Sequence, residues 1–281
     1  MTIINRFQSL VSDEILAVEN LMRQQAQGYN DDLQAALDHL ISSGGKRIRP
    51  NITLLVGKLL NGDIERLITL SAAIELLHTA TLVHDDLIDG SLLRRGIPTL
   101  NSKWSPAATV LTGDFLFAKA AKLAADTNSI PVMKLFANTL GIIVNGEIAQ
   151  MFSSHCVGDI DNYYERIYAK TASLFETSTK AAAMISNTNR TQKEYLRQFG
   201  YELGIAFQII DDVLDFTSNQ EKLGKPVGGD LRLGLITLPA IIYFEKNSDD
   251  HFTKEFFKFD CNPPIDILEK IILNIRNSSA I

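Results

Sequence analysis

His78-Thr79-Ala80-Thr81-Leu82-Val83-His84-Asp85-Asp86-Leu87-Ile88-Asp89 closes a long apolar segment with three carboxylates. A second stretch of the same spelling, Asp211-Asp212-Val213-Leu214-Asp215, stands farther along the chain. At about 100° per residue Asp85 and Asp89 share one helix face, and Asp211 and Asp215 do the same. Like charges this close repel by roughly 0.2–0.5 kcal/mol per exposed helical pair, and by more when partly buried, so a cation is expected among them. Oxygen-only ligands favour a hard ion, Mg²⁺ before Ca²⁺. One D-D-x-x-D arises by chance in about one chain of this length in twenty, and two arise far more rarely. Both also finish apolar runs, Ile74 to Val83 and Ile205 to Ile210, which argues against ordinary solvated helix ends.

The surrounding composition narrows the function classes. The chain has 281 residues, 46% hydrophobic and 21% charged, enough for one large core. Its net charge of -6 gives no global attraction to nucleic acid or an anionic membrane, so any functional cations must be locally clustered. Cys156 and Cys261 are far apart in unrelated contexts, which predicts neither a disulfide nor a thiolate metal site and fits a reducing compartment. Met1-Thr2-Ile3-Ile4-Asn5-Arg6 lacks the regions of a secretion signal. The expected location is the cytoplasm, or a plastid after removal of a transit peptide. The longest apolar run, Leu67 to Val83, contains Ser71, Glu75 and His78 and reads as too polar for a lipid-exposed span.

Periodicity predicts an all-α chain. Helices are expected over about Phe7 to Gln27, Asp31 to Ser42, Pro50 to Leu60 and Ile64 to Asp89. Ser105-Pro106 reads as N-cap and first turn of a helix to Asp126, Ser129 opens one to Phe152, and Asp159 or Asp161 one to Ser186. Thr191-Gln192-Lys193-Glu194 reads as a capping box for the helix that carries the second acidic motif. Residues 217 to 234 are polar and glycine-rich, like a functional loop. Helices near Thr237 to Glu245 and Pro264 to Asn277 follow, separated by a polar, mobile stretch.

The helix geometry adds partners to the acids. His78, Asp85 and Asp89 fall within about 20° of one stripe, and Gln208, Asp212 and Asp215 cluster within about 60°. Buried polar stripes need partners, and a ligand between the two helices would supply them. The basic residues form two tight groups. Gly44-Gly45-Lys46-Arg47-Ile48-Arg49-Pro50 sets three cations in four positions, where glycines leave backbone amides open to an anion, and Leu93-Arg94-Arg95-Gly96 follows the first acidic motif. In a net acidic chain this pairing points to phosphate groups, some held by Arg and some bridged by Mg²⁺.

The ordered set resembles the trans-type polyprenyl diphosphate synthases over nearly the whole chain, in the long-chain, octaprenyl- or solanesyl-like branch. It comprises Gly-Gly-Lys-Arg-Ile-Arg-Pro at 44 to 50, the stretch from Glu75 to Asp89, Leu-Arg-Arg-Gly at 93 to 96, and Gly-Asp-Phe-Leu at 113 to 116. Gly-Glu-Ile-Ala-Gln at 146 to 150, Lys-Thr-Ala at 170 to 172 and Phe-Gln-Ile-Ile-Asp-Asp-Val-Leu-Asp at 207 to 215 complete it. The resemblance implies an all-α isoprenoid-synthase-type bundle, one domain over residues 1–281 with a central cavity, working as a homodimer. The activity it implies is repeated head-to-tail addition of isopentenyl diphosphate to an allylic diphosphate. Asp85, Asp89 and Asp211 are then the leading ligands of three Mg²⁺ ions, with Asp86, Asp212 and Asp215 in support. Lys46, Arg49, His78 and Arg95 match the isopentenyl diphosphate pocket. Arg94, Lys170, Gln208 and Lys225 match the allylic diphosphate side, and Thr171 lies near the reacting carbons.

Product length follows from what lies beneath the first motif. Ala80 and Thr81 sit about 6 to 8 Å deeper along the helix than Asp85, where short-chain relatives place an aromatic ring. Small residues there leave room, and each buried methylene gains about 0.8 kcal/mol, so a product of twenty carbons or more is expected. Alternatives are a geranylgeranyl diphosphate synthase, a class I terpene cyclase, and a non-catalytic prenyl-binding partner of a heteromeric synthase. The chain departs from the family in two places. Gly234-Leu235-Ile236-Thr237 stands where many relatives have Gly-Lys-x-Thr, shifting that lysine's role to Lys225. Asn277 to Ile281 resembles a point from which relatives continue, so the chain is expected to lack C-terminal helices.

Overall fold

A computed structural model describes residues 7–152, 156, 158–217 and 227–281. Helices dominate it, as the 3.6-residue pattern predicts: α1 Ser12–Gln24, α2 Asp31–Ser42, α3 Ile48–Leu59, α4 Ile64–Ile88, α5 Pro106–Asp126 and α6 Ile130–Phe152 come first. They are followed by α7 Ile160–Ile167, α8 Ser173–Ile185, α9 Arg190–Thr217, α10 Gly229–Arg232, α11 Leu238–Lys246, α12 His251–Lys258 and α13 Ile265–Arg276. Capping explains most starts. Asn30 accepts the Asp32 amide at 2.7 Å, and Ser105 accepts the Ala108 amide at 3.3 Å with Pro106 leading α5.

Several boundaries differ from the expectation for identifiable reasons. The capping box of α9 uses Asn189 and Gln192, two residues before the one expected; their side chains reciprocally accept each other's amides at 2.9 and 3.0 Å. The stretch expected to be polar and mobile before α13 holds α12. Asp250 caps it through the amides of Phe252 and Thr253, and Phe256 is fully buried on its inner face. Between α7 and α8 the helix passes through a π segment, Tyr168–Ala172, which no apolar period reveals. Leu93–Arg94 and Ile97–Pro98 pair as a two-residue antiparallel ribbon, β1 and β2, across Arg95 and Gly96. Both turn residues have positive φ, 53° and 76°, the signature of a primed hairpin turn.

The fold falls into two compact units, Met1–Gly141 with Leu174–Gly200, and Ile142–Ser173 with Tyr201–Ile281. In the first, α4 is the central element and packs chiefly against α3 and α5. Leu67, Ile74, Leu76, Leu77 and Ala80 are all fully buried, so α4 is covered all round and shows no single apolar stripe. In the second, Tyr163, Ile167, Phe216, Phe244, Phe256 and Ile271 belong to one core cluster that fixes α7 against the end of α9. Each such large apolar side chain contributes about 1.5–3 kcal/mol on burial.

Cys156 and Cys261 correct the expectation drawn from their separation. They lie 105 residues apart in sequence, yet their Cα atoms are 5.4 Å apart and they form a disulfide within the second unit. Sequence spacing carries no information on this, because the chain after α12 carries Cys261 into the core and Cys156 packs against that core. Two helices, α4 and α6, are long and apolar enough to cross a membrane by length and composition. The apolar window of α4 is 67% buried inside the protein, which is the environment of a core helix; that of α6 is 22% buried.

Candidate active site

The first unit assembles a cationic cluster around α4. The Gly44-Gly45 turn leads into Arg47, held in the left-handed region at φ 46° as the N-cap of α3. Three partners keep it there: Glu19 at 2.8 Å, Glu75 at 3.1 Å and the Ile41 carbonyl at 2.7 Å. Burial lowers the affinity of Arg47 for its proton, but the two carboxylates outweigh it and the pKa is raised. A Cβ on Gly45 would lie 3.1 Å from Arg47 Nη1 and 3.2 Å from Arg95 Nη1, so glycine lets both guanidiniums close on the turn. Arg95 Nη1 donates to the Gly44 carbonyl at 2.6 Å. Lys46 lines a cleft of about 320 Å³ beside Glu19 and Asn51.

Arg49 is the anomaly of this group. Its guanidinium lies 4.6 Å over the Phe175 ring, and its buried Nε has no hydrogen-bond partner. Burial pulls its pKa down to about 10, partly countered by Glu75. His78 is pushed well below the usual imidazole value by burial and then by Arg49, Arg94, Arg95 and Arg47. Charged groups buried without partners are costly, so cations gathered around an orphaned donor describe a site that an anion with several oxygens completes.

At the end of α4 the three acids divide the work. Asp86 is buried and receives Arg94 in a fork, Nε at 2.9 and 3.0 Å and Nη2 at 2.8 Å. Asp85 is partly exposed and Asp89 exposed. All three carboxylates sit at the negative end of the helix dipole, an unfavourable placement that a bound cation relieves. Deeper in the helix Ala80 is fully buried, and the Thr81 hydroxyl donates to the His78 carbonyl at 2.8 Å.

The second unit holds a polar cluster of its own. The π segment carries Lys170 and Thr171; Lys170 Nζ donates to Glu147 of α6 at 2.8 Å. Gly146 makes this approach possible, because a Cβ there would stand 2.5 Å from the Ala169 Cβ. The Thr171 hydroxyl donates to Gln208 Oε1 at 2.7 Å, and Gln208 Nε2 donates to Asp212 Oδ1 at 2.9 Å. Tyr163 closes the chain by donating to Asp212 Oδ2 at 2.6 Å. Burial raises the Asp212 pKa, opposed by the bonds from Tyr163 and Gln208. Asp211 is exposed, and Asp215 accepts the amides of Gly229 and Asp230, each at 3.2 Å.

The structure thus brings His78, Arg49, Arg95 and Lys46 into one unit with Asp85, Asp86, Asp89 and Arg94. It brings Lys170, Thr171 and Gln208 into the other with Asp211, Asp212 and Asp215. Lys225 lies outside the described residues. Sequence reading gave no role to Arg47, Glu75, Glu147 or Tyr163. The first three stood inside quoted motifs. Tyr163 sits seven residues before Lys170 on an amphipathic turn, with only that spacing as a signal.

Residues 30–271 match the family described as polyprenyl synthetase. The chain belongs to the polyprenyl synthetase family. It is 44% identical over 218 residues to a prenyl transferase of Synechocystis, covering 76% of this chain and 68% of the relative. It is 36% identical over 274 residues to heptaprenyl diphosphate synthase component 2 of Bacillus subtilis, covering 97% of this chain and 78% of the relative. The fold is similar to a polyprenyl synthase of Caulobacter crescentus crystallised with calcium and isoprenyl diphosphate: TM-score 0.88, 35% identity, covering 99% of this chain and 85% of that one. Other members of the family with similar sequences or folds are described as octaprenyl, solanesyl and decaprenyl diphosphate synthases.

Proposed function

We propose that this chain is a Mg²⁺-dependent trans-prenyltransferase that adds isopentenyl diphosphate repeatedly, head to tail, to an allylic diphosphate. The product is an all-trans polyprenyl diphosphate of twenty carbons or more. One observation carries the reading: the buried Arg49 guanidinium with its unpartnered Nε, within electrostatic reach of a neutral His78. With Lys46 and Arg95 these residues fit the diphosphate of the isopentenyl substrate.

The carboxylates fit a divalent ion that arrives with its substrate. Among the described residues no three His, Cys, Asp or Glu side chains stand close enough to hold a metal unaided. Mg²⁺ is ordinarily bound by one or two carboxylates with substrate phosphates and waters. Asp85, Asp89 and Asp211 are the proposed ligands, supported by Asp86, Asp212 and Asp215, for three ions per site. When bound, Mg²⁺ offsets the charge that builds on a departing diphosphate. Lys170 adds a fixed positive charge to that task, positioned by Glu147. Arg94, locked on Asp86, also orients the first acidic motif. Thr171 has given its only hydroxyl proton to Gln208, so its oxygen lone pairs are what it offers an allylic cation. The isopentenyl double bond attacks that cation, and the released diphosphate takes the proton then lost. No protein nucleophile is needed, and an apolar site keeps water from the cation.

Long products are supported by the small, buried Ala80 and by relatives whose names run from heptaprenyl to decaprenyl. A homodimer is supported by α6, where Val144, Ile148 and Met151 leave an apolar stripe 42%, 47% and 57% exposed. The same stripe also suits a second reading, a subunit of a heteromeric synthase, which the name component 2 of the Bacillus relative favours.

Incubation with farnesyl and isopentenyl diphosphates plus Mg²⁺, followed by product sizing, tests both. Polyprenyl diphosphates of twenty carbons or more are expected from this chain alone. No product without an added partner selects the heteromeric reading, and a cyclic hydrocarbon made from the allylic substrate alone overturns both.

A further inference from the structure

In each acidic motif the second aspartate behaves differently from the first. Asp86 and Asp212 are 7% and 3% exposed, while Asp85 is partly exposed and Asp211 is exposed. Asp86 is forked by Arg94. Asp212 has no arginine fork. One oxygen receives Gln208 Nε2 at 2.9 Å and the other the Tyr163 hydroxyl at 2.6 Å. Tyr163 is 1% exposed and is wedged in the core that joins α7 to α9, and among the described residues its hydroxyl bonds to Asp212 alone.

We propose that Tyr163 is a positioning residue for the second acidic motif: it pins Asp212 as an internal anchor, so that the exposed Asp211 one residue earlier is presented to the metal-bound diphosphate. The inference rests on the prenyltransferase reading and deepens it. Three consecutive bonds carry it. Thr171 fixes which way the Gln208 amide faces, Gln208 holds one Asp212 oxygen, and Tyr163 holds the other. Gln208 and Asp212 both lie on α9, so rotation of that helix about its axis would break the first and third bonds together, and the lateral position of Asp211 is set by that rotation. A carboxylate whose two oxygens already accept strong bonds is a poor ligand in comparison with an exposed neighbour. The Tyr163 ring is held by the surrounding apolar core, so the hydroxyl can be removed without emptying its cavity.

The test uses the full chain and inorganic pyrophosphate with Mg²⁺ as the calorimetric probe, beside steady-state kinetics. Tyr163→Phe is expected to weaken pyrophosphate binding about ten-fold, the effect of one lost bond to a charged acceptor. KM for the allylic diphosphate should rise in step while KM for isopentenyl diphosphate stays unchanged. As a second pair, Asp212→Asn should weaken pyrophosphate binding less than Asp211→Asn does. Unchanged binding in Tyr163→Phe overturns the inference. So does an equal shift of every constant together with a lower Tm, which would mark Tyr163 as merely structural. If Tyr163→Phe does not fold, the order of the two aspartate variants decides, and a larger loss in Asp212→Asn overturns the anchor. A wild-type chain that shows this binding pattern but makes no prenyl product leaves the anchor standing and removes the enzymatic reading. Product formation with unaffected Tyr163→Phe binding does the reverse. No pyrophosphate binding by the wild type overturns both.

Discussion

Replacing Gly146 by alanine tests whether the close seating of α6 on the π segment matters for chemistry. The added Cβ would stand 2.5 Å from the Ala169 Cβ, whereas ordinary contacts between such carbons begin near 3.4 Å. The two backbones must therefore part by about 1 Å, and overpacking of this kind costs about 1–3 kcal/mol. The next residue of α6 is Glu147, which holds Lys170, and the residue after Lys170 is Thr171, which holds Gln208. Displacement at Gly146 therefore passes directly into the groups assigned to the allylic diphosphate. A 1 Å misplacement costs up to about 10²-fold in rate. We expect Gly146→Ala to lower kcat/KM for the allylic substrate by 10- to 100-fold on the order of that figure, with a Tm only a few degrees lower. The compensating double variant Gly146→Ala with Ala169→Gly restores the space and should recover most of the activity. A single variant within two-fold or so of wild type, or a double variant no better than the single, refutes the reasoning.

Three further outcomes follow from particular side chains. Ala80→Phe should shorten the product distribution by filling the depth below Asp85, and an unchanged distribution on product sizing removes that account of chain length. His78 has a folded pKa well below the unfolded value of about 6.5, so as pH falls through that value the unfolded chain takes up a proton that the folded chain refuses. Stability should therefore drop below pH 6.5 by at most about 1.4 kcal/mol per pH unit from this group, and urea titrations of His78→Gln should show a shallower loss; equal slopes contradict the assignment. Reducing the Cys156–Cys261 disulfide, which closes a loop of 105 residues, should cost up to about 4.7 kcal/mol by the chain-entropy relation. Calorimetry with and without a reductant measures this, and an unmoved Tm counts against the bridge.

Helix identity was legible because it rests on local signals. The end of α2 is legible from the Gly44-Gly45 pair that follows it, and the start of α5 from Ser105-Pro106, and both helices stand where expected. The first acidic motif, its stripe with His78 and the glycine-flanked cations were legible for the same reason: helix periodicity and chain adjacency suffice to place them. What failed to show depends on contacts distant in sequence or on weak local signals. Cys156 meets Cys261 across 105 residues, and Tyr163 meets Asp212 across 49. The π segment adds one residue to a turn without changing composition, and α12 hides behind a short polar stretch in which only Asp250 marks a start.

The identical spelling of the two acidic motifs concealed a difference in how each is supported. Letters alone give Asp85, Asp86 and Asp89 the same standing as Asp211, Asp212 and Asp215. In the fold the middle member is buried in both, but one is met by a charged fork and the other by two neutral donors. A charged fork compensates its carboxylate's charge locally, so the first motif can lie at the negative end of α4 with one of its three charges already answered. Neutral donors, together with the charge of Arg166, which makes no ion pair with Asp212 among the described residues, only partly offset its burial, and its pKa stays raised. The second motif therefore keeps more of its demand for a cation, and removing Mg²⁺ should loosen α9 near Asp212 more than α4 near Asp86. Hydrogen exchange with and without Mg²⁺ and pyrophosphate reads this directly: greater protection gained around residues 208–216 than around 82–89 is the expected result, and the opposite order refutes it.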